Sequence, residues 1–520
     1  MTVVIDRTRT APEEAAPTSA AEKARRRGDA GGGLYKPRTP IYPKSVQGRW
    51  RTLKWALMIV TLAIYYITPW IRWERPADLP DQAILVDFAG RRLYLFDLQF
   101  WPQEVYFITG LLVMAALALF LASSLFGRLW CGYACPQTLW TDLFLHVERL
   151  FEGDRNARMR LDAAPWSLDK AWRKAGKHLV WLGIAFGTGG AWIFYFHDAP
   201  TVLVQFWTGQ APATAYVFCA LLTFTTYVFA GTMREQVCTY MCPWPRIQGA
   251  LIDQDSLQVT YRTDRGEPRG THKKGASWEG RGGCIDCGQC VMVCPMGIDI
   301  RNGAQLECIN CALCADACDE MMDRIDRPRG LIGYDTDKAV AARAAGRAAV
   351  YRLVRPRTLV YAGALVLVCG LMLWGLVHRQ AFDVHVLRDR NPIAVRLADG
   401  SVRNGYTLKV SNRSFSDADA RIRFEGPAGA ILKTPAAPVA ADGVSARIEA
   451  NTVRAVRIFV TLPEPRREPE EDGDGDGARG GDEGEGESLP VAFTVTLPEG
   501  AMTVKSTFIT DPGARPLARP

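Results

Sequence analysis

Apolar residues in this chain gather into long blocks separated by charged stretches. Five blocks are long enough for a helix to cross a bilayer: about Leu53 to Ile71, Val105 to Leu125, His178 to Phe196, Ala213 to Gly231 and Thr358 to Val377. The pattern predicts a multi-pass α-helical membrane protein of about five spans. The first block follows about fifty mostly polar residues and has no small-residue cleavage site, so it is expected to persist as a helix. Beyond about Ala381 the pattern changes to short runs of alternating apolar and polar residues, as in Tyr406–Val410, Ala420–Phe424, Ala455–Val460, Val491–Val495 and Met502–Phe508. Period two, with glycine, proline and asparagine between the runs, predicts an all-β antiparallel sandwich of immunoglobulin-like type.

These transitions divide the chain. Residues 1–45 are rich in Ala, Arg, Pro and Gly without periodicity and read as a disordered basic arm. A four-span membrane domain follows over 46–232, then a polar segment over 233–357, the fifth span over 358–378 and the β domain over 381–520. Within the β domain, 464–488 is Glu, Asp and Gly, which cannot bury a core and reads as an acidic loop.

Charge sets the expected orientation. Lys and Arg collect before the first span (Arg25, Arg26, Arg27, Lys44, Arg49, Arg51, Lys54) and in the connection from Phe126 to Lys177, whereas Asp198 to Pro212 has none. The segment 233–357 is again basic beside its spans, at Arg234, Arg246, Arg352, Arg355 and Arg357. Positive flanks face the cytoplasm, so this segment is expected there and the β domain in the periplasm of a bacterial inner membrane. The net charge of +7 is accounted for by span flanks on a lipid bilayer, and no nucleic-acid motif competes.

The polar segment carries the chemistry. Cys284-x-x-Cys287-x-x-Cys290-x-x-x-Cys294-Pro295 is followed by the same spacing at Cys308, Cys311, Cys314 and Cys318. Zinc sites use two separated thiolate pairs, whereas here three cysteines fall in a row at two-residue intervals, twice. The run is that of a bacterial 2[4Fe-4S] ferredoxin, at about 280–325, in which the fourth cysteine serves the neighbouring cluster. Cys284, Cys287, Cys290 and Cys318 are expected to hold one cluster, and Cys308, Cys311, Cys314 and Cys294 the other. Asp319 replaces the proline that follows the first run, a position that is not a ligand.

A second cysteine pattern repeats at the ends of two spans: Cys131-Gly-Tyr-Ala-Cys135-Pro136 and Cys238-Thr-Tyr-Met-Cys242-Pro243. Spacing i, i+4 stacks two sulfurs on one helix face, with proline marking a break just beyond. If the two helices pack together, four thiols converge, suited to Cu(I), to reversible disulfide chemistry or to a third iron–sulfur cluster. Lone Cys219 and Cys369 read as packing residues, as do Met233 and Met241. His146, His178, His197 and His378 form no evident cluster. The β domain has no cysteine, one histidine (His385) and one methionine (Met502), which favours a docking module over a copper carrier.

From about Lys44 onward the chain resembles the FixG/CcoG (RdxA) family, membrane polyferredoxin accessory proteins of cbb3-type cytochrome c oxidase. The likeness is carried by Trp130–Asp142, Arg234–Pro243, Cys284–Arg301 and Glu307–Asp319, including their noncysteine positions. It implies an oxidoreductase that reduces Cu(II) to Cu(I) for the oxidase. The ferredoxin cysteines would hold two [4Fe-4S] clusters, and Cys131, Cys135, Cys238 and Cys242 would handle copper. Implied partners are copper as substrate, oxidase assembly factors or a copper chaperone or transporter, and an unidentified electron donor. Two rival readings share these motifs: a quinol-linked carrier resembling NapH-type polyferredoxins, and a structural assembly factor with clusters as staples.

Overall fold

The computed structural model describes residues 40–76, 79–273, 275, 277–435, 443–463 and 488–510. The expected disordered arm (1–45) and acidic loop (464–488) therefore fall almost wholly outside the described residues. The chain divides into two compact units, one reaching to Cys369 and one formed by the residues from Gly370.

In the first unit, α1 (Arg49–Ile67) leads to a small antiparallel sheet of β1 (Ile84–Asp87), β2 (Arg92–Leu95) and β3 (Leu98–Phe100). Then come α2 (Val105–Phe126), the short α3 (Leu129–Tyr133), α4 (Pro136–Glu152), α5 (Arg155–Ala163), α6 (Leu168–Ile193), α7 (Ala199–Trp207) and α8 (Ala213–Thr226). The end of α8 runs on as π-helical turns over Tyr227–Met233 and Val237–Met241. After α9 (Trp244–Leu251) and β4 (Gln258–Tyr261) come α10 (Thr263–Gly266), α11 (Gln289–Met292) and α12 (Leu313–Arg324). The unit continues through β5 (Ile332–Asp335), paired antiparallel to β4, and α13 (Asp337–Ala344) to α14 (Pro356–Val377), whose residues from Gly370 belong to the second unit.

Among the described residues four helices are long and apolar enough to cross a membrane: Arg49–Trp70, Pro102–Phe126, Ala213–Met233 and Pro356–Val377. The stretch expected to span from His178 lies mostly in the 26-residue α6 and is not one of the four; the first half of that helix carries Asp169, Lys170, Arg173, Lys174 and Lys177. These charges are paired: Lys177 with Glu152 at 2.8 Å and Lys174 with Asp162 at 2.6 Å. At the other end of α6, Tyr65 O–H of α1 donates to the Thr188 carbonyl at 2.8 Å, and Tyr195 O–H donates to the Tyr65 carbonyl at 2.9 Å. The Val86 amide of β1 reaches the Tyr195 carbonyl at 2.8 Å. The C-terminal ends of α1 and α6 are thus neighbours, on the side of the small sheet.

The ferredoxin segment packs directly onto the helices. Asp316 of α12 accepts the Arg51 amide at 2.7 Å and the Trp50 amide at 3.2 Å, satisfying N–H groups that the first turn of α1 cannot pair internally. A carboxylate there also complements the helix dipole. Arg51 in turn forks onto both oxygens of Asp142 in α4 at 2.9 Å.

The second unit is the expected sandwich. One sheet runs β10 (Ile431–Lys433), β12 (Thr452–Leu462), β8 (Val402–Asn412), β6 (Phe382–Arg388), with β7 (Val395–Arg396) beside β8. The other runs β11 (Val444–Ile448), β9 (Ala418–Glu425), β13 (Ser488–Leu497), β14 (Gly500–Ile509). The alternation read from sequence becomes burial: Ala418, Ala420 and Ile422 of β9 face in, while Asp419, Arg421 and Arg423 face out. Tyr406, Leu408, Ile458, Phe493 and Phe508 meet in the core, each contributing about 1.5–3 kcal/mol. Tyr406 O–H crosses to the Thr507 carbonyl at 2.9 Å and ties the sheets.

Candidate metal centres

The two ferredoxin runs fold as a structural repeat. Asp286 and Asn310 occupy equivalent places before the second cysteine of each run, with φ of 55° and 54°. Gly288 and Ala312 follow that cysteine, with φ of 67° and 56°. Glycine, aspartate and asparagine reach the left-handed region readily, whereas alanine does so at a cost of about 1–2 kcal/mol. Such turns aim consecutive backbone N–H groups into a concavity that suits an anionic centre. The Asn310 amide donates to the Cys308 sulfur, and the Met296 and Ile298 amides donate to Cys294.

Each cysteine set surrounds its own small apolar cavity. Cys284, Cys287, Cys290 and Cys318 line one with Tyr261, Ile285, Met322 and Leu331. Cys294, Cys308, Cys311 and Cys314 line the other with Val259, Met296, Ile298 and Leu313. The fourth cysteine of each run thus stands with the opposite trio. Cys290 borders both cavities, so the two lie side by side. Burial pushes the Cys290 and Cys294 thiols up to about 12 and Cys308 to about 11. At neutral pH such thiols keep their protons until iron displaces them. Four thiols per apolar cavity with amides directed at sulfur fit a [4Fe-4S] cube. Cys287 is the exposed member of the eight.

The two CxxxCP motifs do not lie each on one helix, as the i, i+4 spacing had predicted. Cys131 is in α3, but Cys135 is extended (φ −65°, ψ 126°) and caps α4, whose first residue is Pro136. Proline there lacks only an N–H that a first turn leaves unpaired. Cys238 lies in π-helical turns, and Cys242 is extended (φ −79°, ψ 122°) just before Pro243 and α9. The two half-sites therefore share one local design.

They also meet in space. The four thiols act electrostatically on one another, and burial pushes Cys131 and Cys238 up to about 12. Gln137, one residue after Pro136, donates its Nε2 to the Phe229 carbonyl at 2.8 Å and the Arg234 carbonyl at 3.3 Å, both at the π-helical end of α8. Behind them, Arg158 and Lys177 reach Glu148 at 2.5 and 3.7 Å, and Arg234 binds the same carboxylate.

This second centre abuts the second ferredoxin cavity. Tyr133 O–H donates to the Cys311 carbonyl at 3.1 Å, and Cys131 shares an apolar cluster with Ile309, Cys311 and Leu313. Gly132 makes the approach possible, since a Cβ there would stand 2.6 Å from the Ile309 carbonyl oxygen. Arg128 spans the same seam, donating to the Pro245 carbonyl at 2.8 Å and the Cys308 carbonyl at 3.4 Å. Gln248 of α9, fully buried, accepts from Cys131 Sγ at 3.1 Å. No motif in the sequence marks Arg128 or Gln248, whereas Gly132 and Tyr133 lie inside the first CxxxCP motif.

The lone cysteines and the histidines lie elsewhere in the fold. Cys219 is buried among Ile193, Ala199 and Val202, and exposed Cys369 touches Met114. Met233 and Met241 end the two π-helical segments. His178 bonds Tyr227, His146 lies edge-on to Trp55, and His385 pairs with Asp383.

Three family models match: "4Fe-4S binding domain" over residues 107–153, "4Fe-4S dicluster domain" over 233–337, and "IG-like fold at C-terminal of FixG" over 372–511. "Nitrogen fixation protein FixG" of Rhizobium meliloti is 52% identical over 465 residues, covering 84% of this chain and 88% of that one. "Protein RdxA" of Cereibacter sphaeroides is 51% identical over 434 residues, covering 83% and 91%. A crystal structure of a FixG-related protein from Vibrio parahaemolyticus covers 25% of this chain and 97% of its own, with 19% identity and a TM-score of 0.19. An iron–sulfur ferredoxin repeat on apolar helices, joined to an immunoglobulin-like C-terminal domain and matched at this identity over most of its length, makes the chain a member of the FixG/RdxA family of iron–sulfur electron-transfer proteins.

Proposed function

We propose that the protein takes single electrons from a donor still to be identified and reduces Cu(II) to Cu(I) for maturation of a cbb3-type cytochrome c oxidase. The carrying observation is the 3.1 Å bond from Tyr133, inside the first CxxxCP motif, to the Cys311 carbonyl, which makes the second ferredoxin cavity and the CxxxCP thiols one continuous body. Cubes bound at the eight ferredoxin cysteines would supply low-potential electrons one at a time. Cupric ion needs one electron to become the soft ion that thiolates prefer, and no proton or bond need move with it. Exposed Cys287 is the ferredoxin cysteine open to a donor, and Cys131, Cys135, Cys238 and Cys242 form the other end of the path, from which copper takes its electron.

The basic flanks favour a cytoplasmic ferredoxin repeat. The sandwich lies in the periplasm if α6 crosses the membrane as a fifth span. The contacts of Tyr65 and Val86 with its far end support this, as does the pairing of Lys174 and Lys177 at its near end. In this reading the sandwich docks oxidase assembly factors or a copper chaperone or transporter.

The test is anaerobic. Purified protein is reduced, freed of reductant and given Cu(II) with a Cu(I)-specific chelator. Cluster reoxidation and chelator colour should change in matched one-electron amounts. Clusters that stay reduced while no Cu(I) forms would sink copper reduction and favour the quinol-linked reading.

A further inference from the structure

We infer that the end of the β sandwich reached by α14 rests on the lipid surface and is anchored there by Phe415. Helix α14 is apolar all round, and none of its most apolar stretch is buried in the chain, which is how a helix meets lipid. Trp374, exposed in its last turn, and Arg379 just beyond it pair an interfacial aromatic with a basic flank, the signature of a membrane–water boundary. The His378 amide donates to the Trp374 carbonyl at 3.0 Å, so the helix runs one residue past Val377. Arg379, Gln380 and Ala381 alone then separate His378 from Phe382, the first residue of β6, a reach of at most about 14 Å. The sandwich thus starts beside the headgroups, whichever side of the bilayer it occupies.

The strand register fixes which loops share that end. Phe382 pairs with Asn412, Asn412 with Thr452 and Ala418 with Ile448, and a Cβ on Gly500 would stand 3.8 Å from the Phe382 ring. The connections 413–417, 449–451 and 498–499 therefore surround the linker from α14. The first of them holds it: the Arg413 amide donates to the Ala381 carbonyl at 2.9 Å, and the Arg413 guanidinium to the Gln380 carbonyl at 3.4 Å. In the linker and these three connections, Phe415 is the one large apolar residue.

Single apolar side chains on a surface are ordinary and carry no message by themselves. What distinguishes Phe415 is a polar framework that holds its ring outward. Buried Asn412 donates to the Ser416 carbonyl at 2.8 Å and accepts from the Ser414 amide at 2.9 Å, closing a turn across Phe415. The Ser414 carbonyl accepts the Asn451 amide at 3.0 Å, and Asp417 accepts the Ala450 amide at 2.8 Å, so both flanks are tied to the next loop. Phe415 is left 47% exposed, two residues from the Arg413 clamp on the linker. A ring presented beside the headgroups gains by leaving water for the acyl boundary, as interfacial aromatics do. Lipid is the occupant because the lipid-facing surface of α14 leads directly into this end.

The experiment places a fluorine probe in full-length protein held as one chain per lipid nanodisc. One sample carries para-trifluoromethylphenylalanine at position 415, and a second carries it at 431. Ile431 is the control, 55% exposed and paired with Thr461, at the opposite end of β12 from Thr452. A lipid-borne nitroxide should broaden the fluorine signal from 415 and leave that from 431 sharp, and a soluble gadolinium chelate should do the reverse. Wild-type protein in discs containing a phospholipid with a carbene-forming headgroup should be labelled within 413–417 and not at Ile431, a readout that needs no substitution. A signal from 415 that the soluble chelate broadens as strongly as that from 431 would overturn the inference, as would absence of the carbene label from 413–417. Shielding of 415 from both agents would also overturn it, since a single chain in each disc leaves only a contact within the chain to cover the ring.

Discussion

Cys131 Sγ lies 3.1 Å from Gln248 Oε1, and the Gln248 amide nitrogen donates on to Ser123 Oγ at 3.2 Å. One buried side chain thus joins the first CxxxCP motif, the helix that follows the second and the end of α2. If Cys131 loses its proton, the amide can swap ends: its N–H₂ faces the thiolate and its oxygen accepts from Ser123. Gln248 therefore serves either protonation state.

Replacing it tests that role. Gln248→Leu strands Ser123 and removes the acceptor of the Cys131 thiol, a loss of about 1–3 kcal/mol. The variant should inactivate at lower temperature than wild type, and adding Ser123→Ala should recover part of the loss, since only the weakly polar Cys131 thiol is then left without its partner. A Gln248→Leu protein as heat-resistant as wild type would refute the tie.

Gly132→Ala probes the seam between the two centres. The new Cβ would meet a backbone carbonyl that no rotamer change can clear, so α3 must retreat from Ile309. The Tyr133 bond to Cys311 should lengthen, and the midpoint potential of the adjacent ferredoxin cluster should shift, because potential follows the hydrogen bonds around the ligands. Gly183→Ala, where nothing lies within 4 Å, is the matched control and should leave the potential alone.

The left-handed positions of the repeat give opposite expectations. Ala312→Gly should stabilise the ferredoxin segment by about 1 kcal/mol, and Gly288→Ala should destabilise it similarly. Open space around Gly288 makes the backbone the only cause. Cluster loss under chelator challenge, slower in the first variant and faster in the second, would report both.

What the sequence disclosed is what a short window encodes. Three cysteines in a row at two-residue intervals specify a cube, and the alternation from Ala418 to Ile422 specifies a sandwich face. Missing were features that depend on where a distant segment comes to rest: Asp316 capping α1, Gln248 reaching Cys131, and Arg128 crossing to Cys308. The CxxxCP repeat was visible, but its proline was read as a helix stop after Cys135 when it is the start of α4. A proline carries both meanings, and only the chain beyond it decides. The span expected from His178 met a similar ambiguity, because the partners of Lys174 and Lys177 lie in α4 and α5.

Acid should loosen the joint between α1 and α4. Burial alone would raise the Asp142 carboxyl, but Lys54 and Arg51 outweigh it and hold the group below its ordinary value. A carboxylate depressed on folding contributes stability that is fully present above the ordinary carboxylate range. That contribution is lost as pH falls through the range and past the lower folded value. Glu148 follows the same sign, with Arg234, Arg158 and Lys177 overcoming its burial. Unfolding followed by tryptophan fluorescence should therefore steepen below about pH 4. Asp142→Asn should abolish part of that pH dependence and lower stability at neutral pH by about 3–5 kcal/mol, because Arg51 and Lys54 remain buried without a counter-charge. An unchanged acid transition in Asp142→Asn would show that the pair does not hold α1 to α4.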